Sequence, residues 1–334
     1  MARSGQSQLA WTMDRPGRIQ DLRLVEVPLP EPGPDELRIA VHAVALNRHD
    51  TAFLAGGGSD APWPRIAGLD VVGRIEAMGE AVRGWRLGTR VIGMLDPARG
   101  GGFADFAVMP ALVAAPVPRG IGDAEAAALS GAGIAAFHAI ERRLQPRDGQ
   151  SVLVFGAAGG VGGFAVQLAA ARRARVLAVH SGHARDHVLA LGAAEAIDRG
   201  GVDVATMVRA LTDGRGVDAA LDVVGRAHAA DCVALLQPEG ALACVAGLPR
   251  LRRRVPLASA LTLHEISPGA AYRCGDAARL RDLSIVARAL LRRVANGNIR
   301  PLVAEVAAFE SLPAALARLM AGGLRGRVVV RRRA

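Results

Sequence analysis

The sequence predicts a two-domain α/β protein in which one domain is built on a covered parallel sheet, and three observations lead there. The first is a glycine-rich turn, Gly156-Ala157-Ala158-Gly159-Gly160-Val161-Gly162-Gly163, between an apolar run at 151–155 and a helix-like segment ending near Arg172. The second is the alternation that follows: strands at 175–180, 194–197, 217–223 and 241–245, with helices at 183–191, 203–211 and 226–236. Strands that alternate with helices argue for a parallel sheet with both faces covered, here a Rossmann-like domain from roughly Asp123 to Thr262. The third is the different texture of the N-terminal region. Strands are expected at 36–45, 70–77, 89–93 and 103–109, separated by turn-rich stretches such as 28–34 and 56–64. The end of the chain returns to that style, with a helix at 311–320 starting at a Ser311 cap and a closing strand at 327–332.

The glycine turn carries the first chemical inference. Glycines at a strand-to-helix bend let the backbone approach a pyrophosphate, and the helix N-terminus presents free N–H groups and its positive dipole end to that anion. Gly156, Ala158, Gly159, Gly160, Val161 and Gly162 are therefore expected to form a dinucleotide-binding turn, with Gly163 in the first helical turn. The following strand ends Ala178-Val179-His180-Ser181-Gly182 and carries no carboxylate to bond a ribose 2′-hydroxyl. That absence, and a Ser181 hydroxyl able to donate to a 2′-phosphate, favour NADPH over NADH.

Length and composition set the outer limits. The 334 residues suit two domains, and at 51% hydrophobic they supply ample core, yet no apolar run is long enough to cross a bilayer. The N-terminal segment is polar and lacks a signal-peptide core. Cys232, Cys244 and Cys274 are too few and too widely spaced for a disulfide scaffold or a zinc cluster, so a reducing cytoplasm is the expected compartment. All 41 basic residues are arginine, giving a net charge of +10. They are scattered, apart from short runs at Arg252–Arg254 and Arg331–Arg333, and aromatics make up only 3% of the chain. Specific nucleic-acid binding needs a concentrated basic face interleaved with aromatics, so no nucleic-acid partner and no membrane partner are expected.

The ordered blocks Pro34-Asp35-Glu36-Leu37-Arg38-Ile39, Asn47-x-x-Asp50, Gly68-x-Asp70-x-x-Gly73, Ala157-Ala158-Gly159-Gly160-Val161-Gly162 and Gly326-Arg327-Val328-Val329-Val330 resemble the medium-chain dehydrogenase/reductase superfamily, and within it the zinc-free quinone oxidoreductase group. The resemblance runs from about Leu22 to Val330. It implies a GroES-like β-rich catalytic domain at 1–122 and 263–334, into which the Rossmann-fold cofactor domain, 123–262, is inserted. It also places Arg185 where this group often carries a lysine that holds the 2′-phosphate.

Zinc-dependent relatives carry a cysteine at the position of Asn47 and a His-Glu pair at Leu69-Asp70. Neither Asn47 nor Leu69 is a zinc ligand, catalytic zinc needs about three protein donors, and the four-cysteine structural lobe is replaced by 94–102. No metal is expected. Without a Lewis acid, conjugate reduction is easier than alcohol oxidation, because charge from hydride addition is delocalised onto oxygen. The resemblance thus implies a small-molecule substrate, a quinone or an α,β-unsaturated carbonyl, reduced with NADPH. Two other readings stay open: an enoyl-thioester reductase acting on CoA or carrier-protein substrates, and a non-catalytic protein that binds NADPH or RNA.

Within the expected catalytic cleft, Asn47 faces the nicotinamide side by resemblance, where its amide could bond substrate oxygen or cofactor ribose, or could simply structure its loop. Asp50 and Asp70 suit turn-capping roles. The tyrosine common after Asn-x-x-Asp is replaced by Ala52, which leaves His49 as the nearest proton donor, in competition with solvent. Phe53, Trp63, His138 and Tyr272 are candidate pocket walls. A threonine on the carboxamide side is replaced by Ala135, and the glycine that closes the helix after the turn is replaced by Arg173. The family commonly dimerises through paired edge strands, and 241–257, an apolar strand followed by a basic segment, is the stretch expected to serve a homodimer.

Overall fold

A computed structural model describes residues 6–57, 62–249 and 259–332 and divides them into two compact units. The first takes the chain up to Gly131, then Gly269–Gly322, then the chain from Arg327; the second takes Ala132–Pro268 and Gly323–Gly326. The fold is mixed α/β, a β-rich unit and a parallel-sheet unit, as the sequence predicts.

The first unit opens with an antiparallel pair, β1 (Ser7–Thr12) and β2 (Arg23–Pro28). The long strand β3 (Glu36–Ala45) leads through helix α1 (Arg48–Leu54) to β4 (Asp70–Met78), β5 (Arg90–Met94), β6 (Phe106–Pro110) and the short β7 (Ala115–Pro116). These join a seven-stranded sheet in which β3 pairs antiparallel with both β4 and β6. Helix α2 (Asp123–Leu129) packs on β3 and β4, which is why this unit continues to Gly131, past the expected limit at 122.

The second unit follows with α3 (Gly131–Phe137) and a π-helical turn, His138–Leu144. Five strands then alternate with four helices: β8 (Ser151–Phe155), α4 (Gly160–Ala171), β9 (Arg175–His180), α5 (Arg185–Ala190), β10 (Glu195–Asp198), α6 (Val204–Leu211), β11 (Val217–Asp222), α7 (Arg226–Ala234) and β12 (Leu236–Cys244). A sixth strand, β13 (Thr262–Glu265), pairs parallel with β12, so the sheet extends beyond residue 262. The order β10-β9-β8-β11-β12-β13 is a Rossmann arrangement in which the chain reverses direction of travel between β8 and β11. All five residues of β8 are buried, as a strand covered on both faces requires. Leu153, Phe155, Leu177, Val179, Val208, Ala220 and Leu242 form the core on one side.

The chain then re-enters the first unit through α8 (Ala270–Arg273), α9 (Ala277–Ala295), β14 (Val303–Ala308), α10 (Leu312–Ala321) and β15 (Arg327–Arg331). Helix α9 has an Asp276 cap on the Ala278 N–H at 2.8 Å and a buried stripe of Leu283, Val286, Ala287, Leu290 and Leu291. At α10 the expected serine cap is not formed: Ser311 ends a 3-10 turn, and its side chain makes no capping bond.

Arg173 resolves its own anomaly by adopting the left-handed conformation itself, at φ +59°. Its N–H bonds the Ala170 carbonyl at 2.8 Å and the Ala174 N–H bonds the Ala169 carbonyl at 3.2 Å, the paired bonds of a Schellman cap. A 2.6 Å ion pair from Arg173 to Asp148 steadies the turn. Of the stretch 241–257 expected to serve a dimer, residues 250–257 lie outside the described residues, as do Arg252–Arg254.

Candidate cofactor site and the Asn47 network

Gly156 leaves β8 at φ +79°, and a Cβ there would come within 2.6 Å of Val223 and 2.9 Å of Val224. At Gly162 a Cβ would meet the Gly156 carbonyl oxygen at 2.2 Å, so the first turn of α4 closes tightly on the end of β8. Between them, Gly159 would offer a Cβ no contact nearer than 3.5 Å, and Ala158, Gly159, Gly160 and Val161 are all partly exposed. The turn is thus packed on its inner side and open on its outer rim, the shape an anion needs to reach the N–H groups of a helix N-terminus. Gly326 makes an isolated parallel bridge to Gly159, which brings the 323–326 segment to the turn.

A cavity of about 610 Å³ is lined by Phe155, Ser181, Arg199, Asp203, His228 and Asp231, among others. The His228 ring stacks on Phe155, centroids 5.4 Å apart, and its Nε2 lies 3.0 Å from Arg199 Nη1. Ser181 is exposed at its rim. Arg185, exposed on the first turn of α5, bonds through Nη1 to the Ala196 carbonyl at 3.3 Å, its one side-chain bond among the described residues. Arg325 donates to the His183 carbonyl, and its charge is a secondary cause, after desolvation, of the lowered pKa of His187. Arg199, His228 and Arg325 escape a reading of the sequence because nothing local distinguishes them from other arginines and histidines.

In the first unit, Asn47, Asp50, Asp70 and Arg327 form one polar network. Asp70 is 1% exposed; its Oδ2 accepts from Arg327 Nη2 at 2.6 Å and from Asn47 Nδ2 at 3.1 Å, and its Oδ1 accepts from the Gly131 N–H at 2.8 Å. Arg327 also donates from Nη1 to Asn47 Oδ1 at 2.8 Å, while its buried Nε has no partner among the described residues. Asn47 donates its second amide hydrogen to the Ala45 carbonyl at 3.3 Å. Both amide hydrogens of Asn47 are therefore spent inside the network, and one acceptor lone pair remains. Asp50, 1% exposed, accepts from the Asn47 N–H at 2.7 Å and the Gly68 N–H at 3.3 Å. Burial raises its pKa to about 7, with the Asp70 charge adding to the effect and the backbone bonds and Arg327 opposing it.

The sequence matches a zinc-binding dehydrogenase model over residues 160–282 and an alcohol dehydrogenase GroES-like domain model over residues 33–119. It is 34% identical over 190 residues to the chloroplast envelope quinone oxidoreductase homolog of Arabidopsis thaliana, a match that spans 54% of this chain and 58% of that protein. The chain belongs to the medium-chain dehydrogenase/reductase superfamily, in its quinone oxidoreductase-like group. The family binds a nicotinamide cofactor, in accord with the glycine turn. A crystal structure of a quinone oxidoreductase from Pseudomonas syringae pv. Tomato DC3000 superposes at a TM-score of 0.87 over 97% of this chain and 99% of that one, at 24% identity, which shows the fold. A phenolphthiocerol/phthiocerol polyketide synthase of Mycobacterium tuberculosis is 32% identical over 347 residues. That match takes in 98% of this chain and 15% of the synthase. The chain spans 58% and 15% of the length of these two curated relatives.

The remaining residues expected at a dehydrogenase/reductase site separate into distinct surroundings. Phe53 is only 3% exposed, so it is not an open pocket wall: the Arg65 guanidinium lies 4.9 Å over its ring and 4.3 Å over that of Trp63, joining the two through a buried cation. Tyr272 donates its hydroxyl proton to the Met94 carbonyl at 2.5 Å, and burial pushes its pKa well up, so it anchors α8 to β5 and has no proton to offer. His138 stands in the other unit, half-buried in the π-helical turn. His49 has its pKa lowered, first by desolvation, with a hydrogen bond to the Pro97 backbone and the Asp70 charge opposing, so its imidazole is neutral at pH 7 and poorly stocked with protons. Among the described residues no group of three or more His, Cys, Asp or Glu side chains is placed to hold a metal ion, and no helix is long and apolar enough to cross a membrane.

Proposed function

We propose that this chain is an NADPH-dependent, zinc-independent oxidoreductase that reduces a quinone or an α,β-unsaturated carbonyl. The observation that carries the reading is the glycine turn with an open rim, followed by a β9 end that has Ser181 and no carboxylate, and by Arg185 exposed on the first turn of α5. Bound NADPH would supply the hydride. The turn from Gly156 to Gly162 would hold the pyrophosphate, and Ser181 and Arg185 the 2′-phosphate. Asn47, its amide hydrogens already committed, serves as an acceptor, for a ribose hydroxyl, and not as a donor to substrate oxygen. With Tyr272 tied to Met94 and His49 neutral, the product takes its proton from solvent.

The match to a polyketide synthase over 98% of the chain favours a second reading, reduction of an enoyl thioester by the same hydride transfer. Mixing the purified protein with NADPH and a panel of quinones, enals and enoyl-CoA esters, while following NADPH absorbance, separates the two. Turnover confined to the esters replaces the first reading by the second, and no turnover with any substrate removes both. We also propose a homodimer formed along β13, an edge strand whose Thr262, Leu263 and Glu265 are exposed. Light scattering at micromolar concentration should give twice the chain mass; the mass of a single chain rejects the dimer.

A further inference from the structure

The first unit holds a second cavity, of about 630 Å³, lined by residues from two segments distant in sequence. The loop before β5 brings Arg83, Trp85, Arg86 and Thr89 to one side. Helix α9 brings Arg281, Ser284, Ile285 and Arg288 to the other; their spacing of three and four places them on one stripe, next to the buried stripe that starts at Leu283. Ala111, Leu112, Ala114 and Pro116 make an apolar floor.

Four arginines therefore line one groove, with no carboxylate in its lining among the described residues. Arg83 is oriented by bonds to the Glu80 and Val82 carbonyls at 2.7 and 2.9 Å. Arg86, Arg281 and Arg288 are in no ion pair among the described residues. Four like charges gathered round a concave surface repel one another and raise its affinity for an anion. Guanidinium forks match phosphate oxygens bidentately, and an indole beside them offers a flat face to an aromatic ring.

We propose that this groove is a binding site for a mononucleotide-type ligand, an aromatic base carrying phosphate groups, separate from the glycine turn. The arginines hold the phosphates, and Trp85, Ile285 and the apolar floor receive the base. A cavity of this volume suits a ligand of nucleotide size. A nucleic-acid strand would require a run of aromatic platforms, and Trp85 is the only aromatic residue in this lining among the described residues.

The test uses the whole protein and ATP labelled with N-methylanthraniloyl as the probe, read by energy transfer from tryptophan, with the glycine turn first saturated by NADP⁺. Saturable binding is expected at one probe per chain. Replacing both Arg281 and Arg288 by Ser should weaken it about tenfold or more, Trp85→Leu should weaken a radiolabelled ATP probe several-fold, and Arg185→Ala should leave it unchanged. The substituted residues are on the surface, and thermal unfolding of each variant checks that it is folded. No saturable binding, or equal loss in Arg185→Ala, overturns the site. Competition by inorganic tripolyphosphate as strong as by unlabelled ATP overturns recognition of a base. Affinity that climbs steadily with oligonucleotide length overturns the mononucleotide assignment in favour of a nucleic-acid strand.

Discussion

Arg327 and Asp70 meet at 2.6 Å in the interior of the first unit, 7% and 1% exposed, and the same guanidinium holds the Asn47 carboxamide oxygen at 2.8 Å. One side chain on the last strand thus fixes the start of β4 and the entry to α1. A buried charge pair of this kind contributes little net stability against water, yet removing one partner leaves the other charge stranded.

Arg327→Met should accordingly lower the free energy of unfolding by about 3–5 kcal/mol. Urea titration measures this directly. Asp70→Asn added to that variant should recover part of the loss, because the stranded carboxylate is then gone; a midpoint unmoved by Arg327→Met would show the network to be inert.

Asp50 makes stability depend on pH. Its folded-state pKa of about 7 lies above the unfolded value of about 4, so between those values the folded protein keeps a proton that the unfolded chain has lost. The contribution of this group therefore falls as pH rises from 4 towards 7, by up to about 1.4 kcal/mol per pH unit, and levels off above 7. Unfolding curves of wild type and Asp50→Asn at several pH values should converge at low pH and separate, with the variant relatively favoured, towards pH 7. A constant difference between them would mean that Asp50 ionises normally.

Arg173 holds a left-handed cap that costs a residue with a Cβ about 1 kcal/mol relative to glycine. Arg173→Gly should raise stability by nearly that amount, reduced by the exposed ion pair to Asp148 that it removes. Thermal unfolding should show a higher midpoint; a lower one would mean the ion pair outweighs the backbone strain.

Arg185→Ala should weaken NADPH binding about tenfold to a hundredfold, the value of a charge-assisted bond to phosphate, and barely change NADH binding. Fluorescence titration of both cofactors into both proteins provides the comparison. Equal affinities in wild type, or equal losses in the variant, remove Arg185 from the 2′-phosphate site.

The sequence by itself determined the parallel-sheet unit. Its strands are covered on both faces and read as apolar runs, and its turns are marked by glycine at Gly156 and Gly162, where no other residue fits. It also determined family membership, through short blocks such as Gly326-Arg327-Val328. It did not disclose β1, whose buried face is made by Gln8, Ala10 and Thr12 while Leu9 faces out, nor β2, whose residues are largely exposed, nor α9, whose apolar stripe is interleaved with arginines. Tertiary structure alone decided what the polar candidates do. Asn47, Asp50 and Asp70 look like independent loop residues until Arg327, 257 positions beyond Asp70, closes on them. Tyr272 looks like an exposed turn residue until the carbonyl of Met94, 178 positions away, accepts its hydrogen bond. Local propensity depends on neighbours in the chain, whereas the charge, protonation and hydrogen-bond capacity of a buried side chain depend on partners brought from any distance, and only the folded arrangement specifies those.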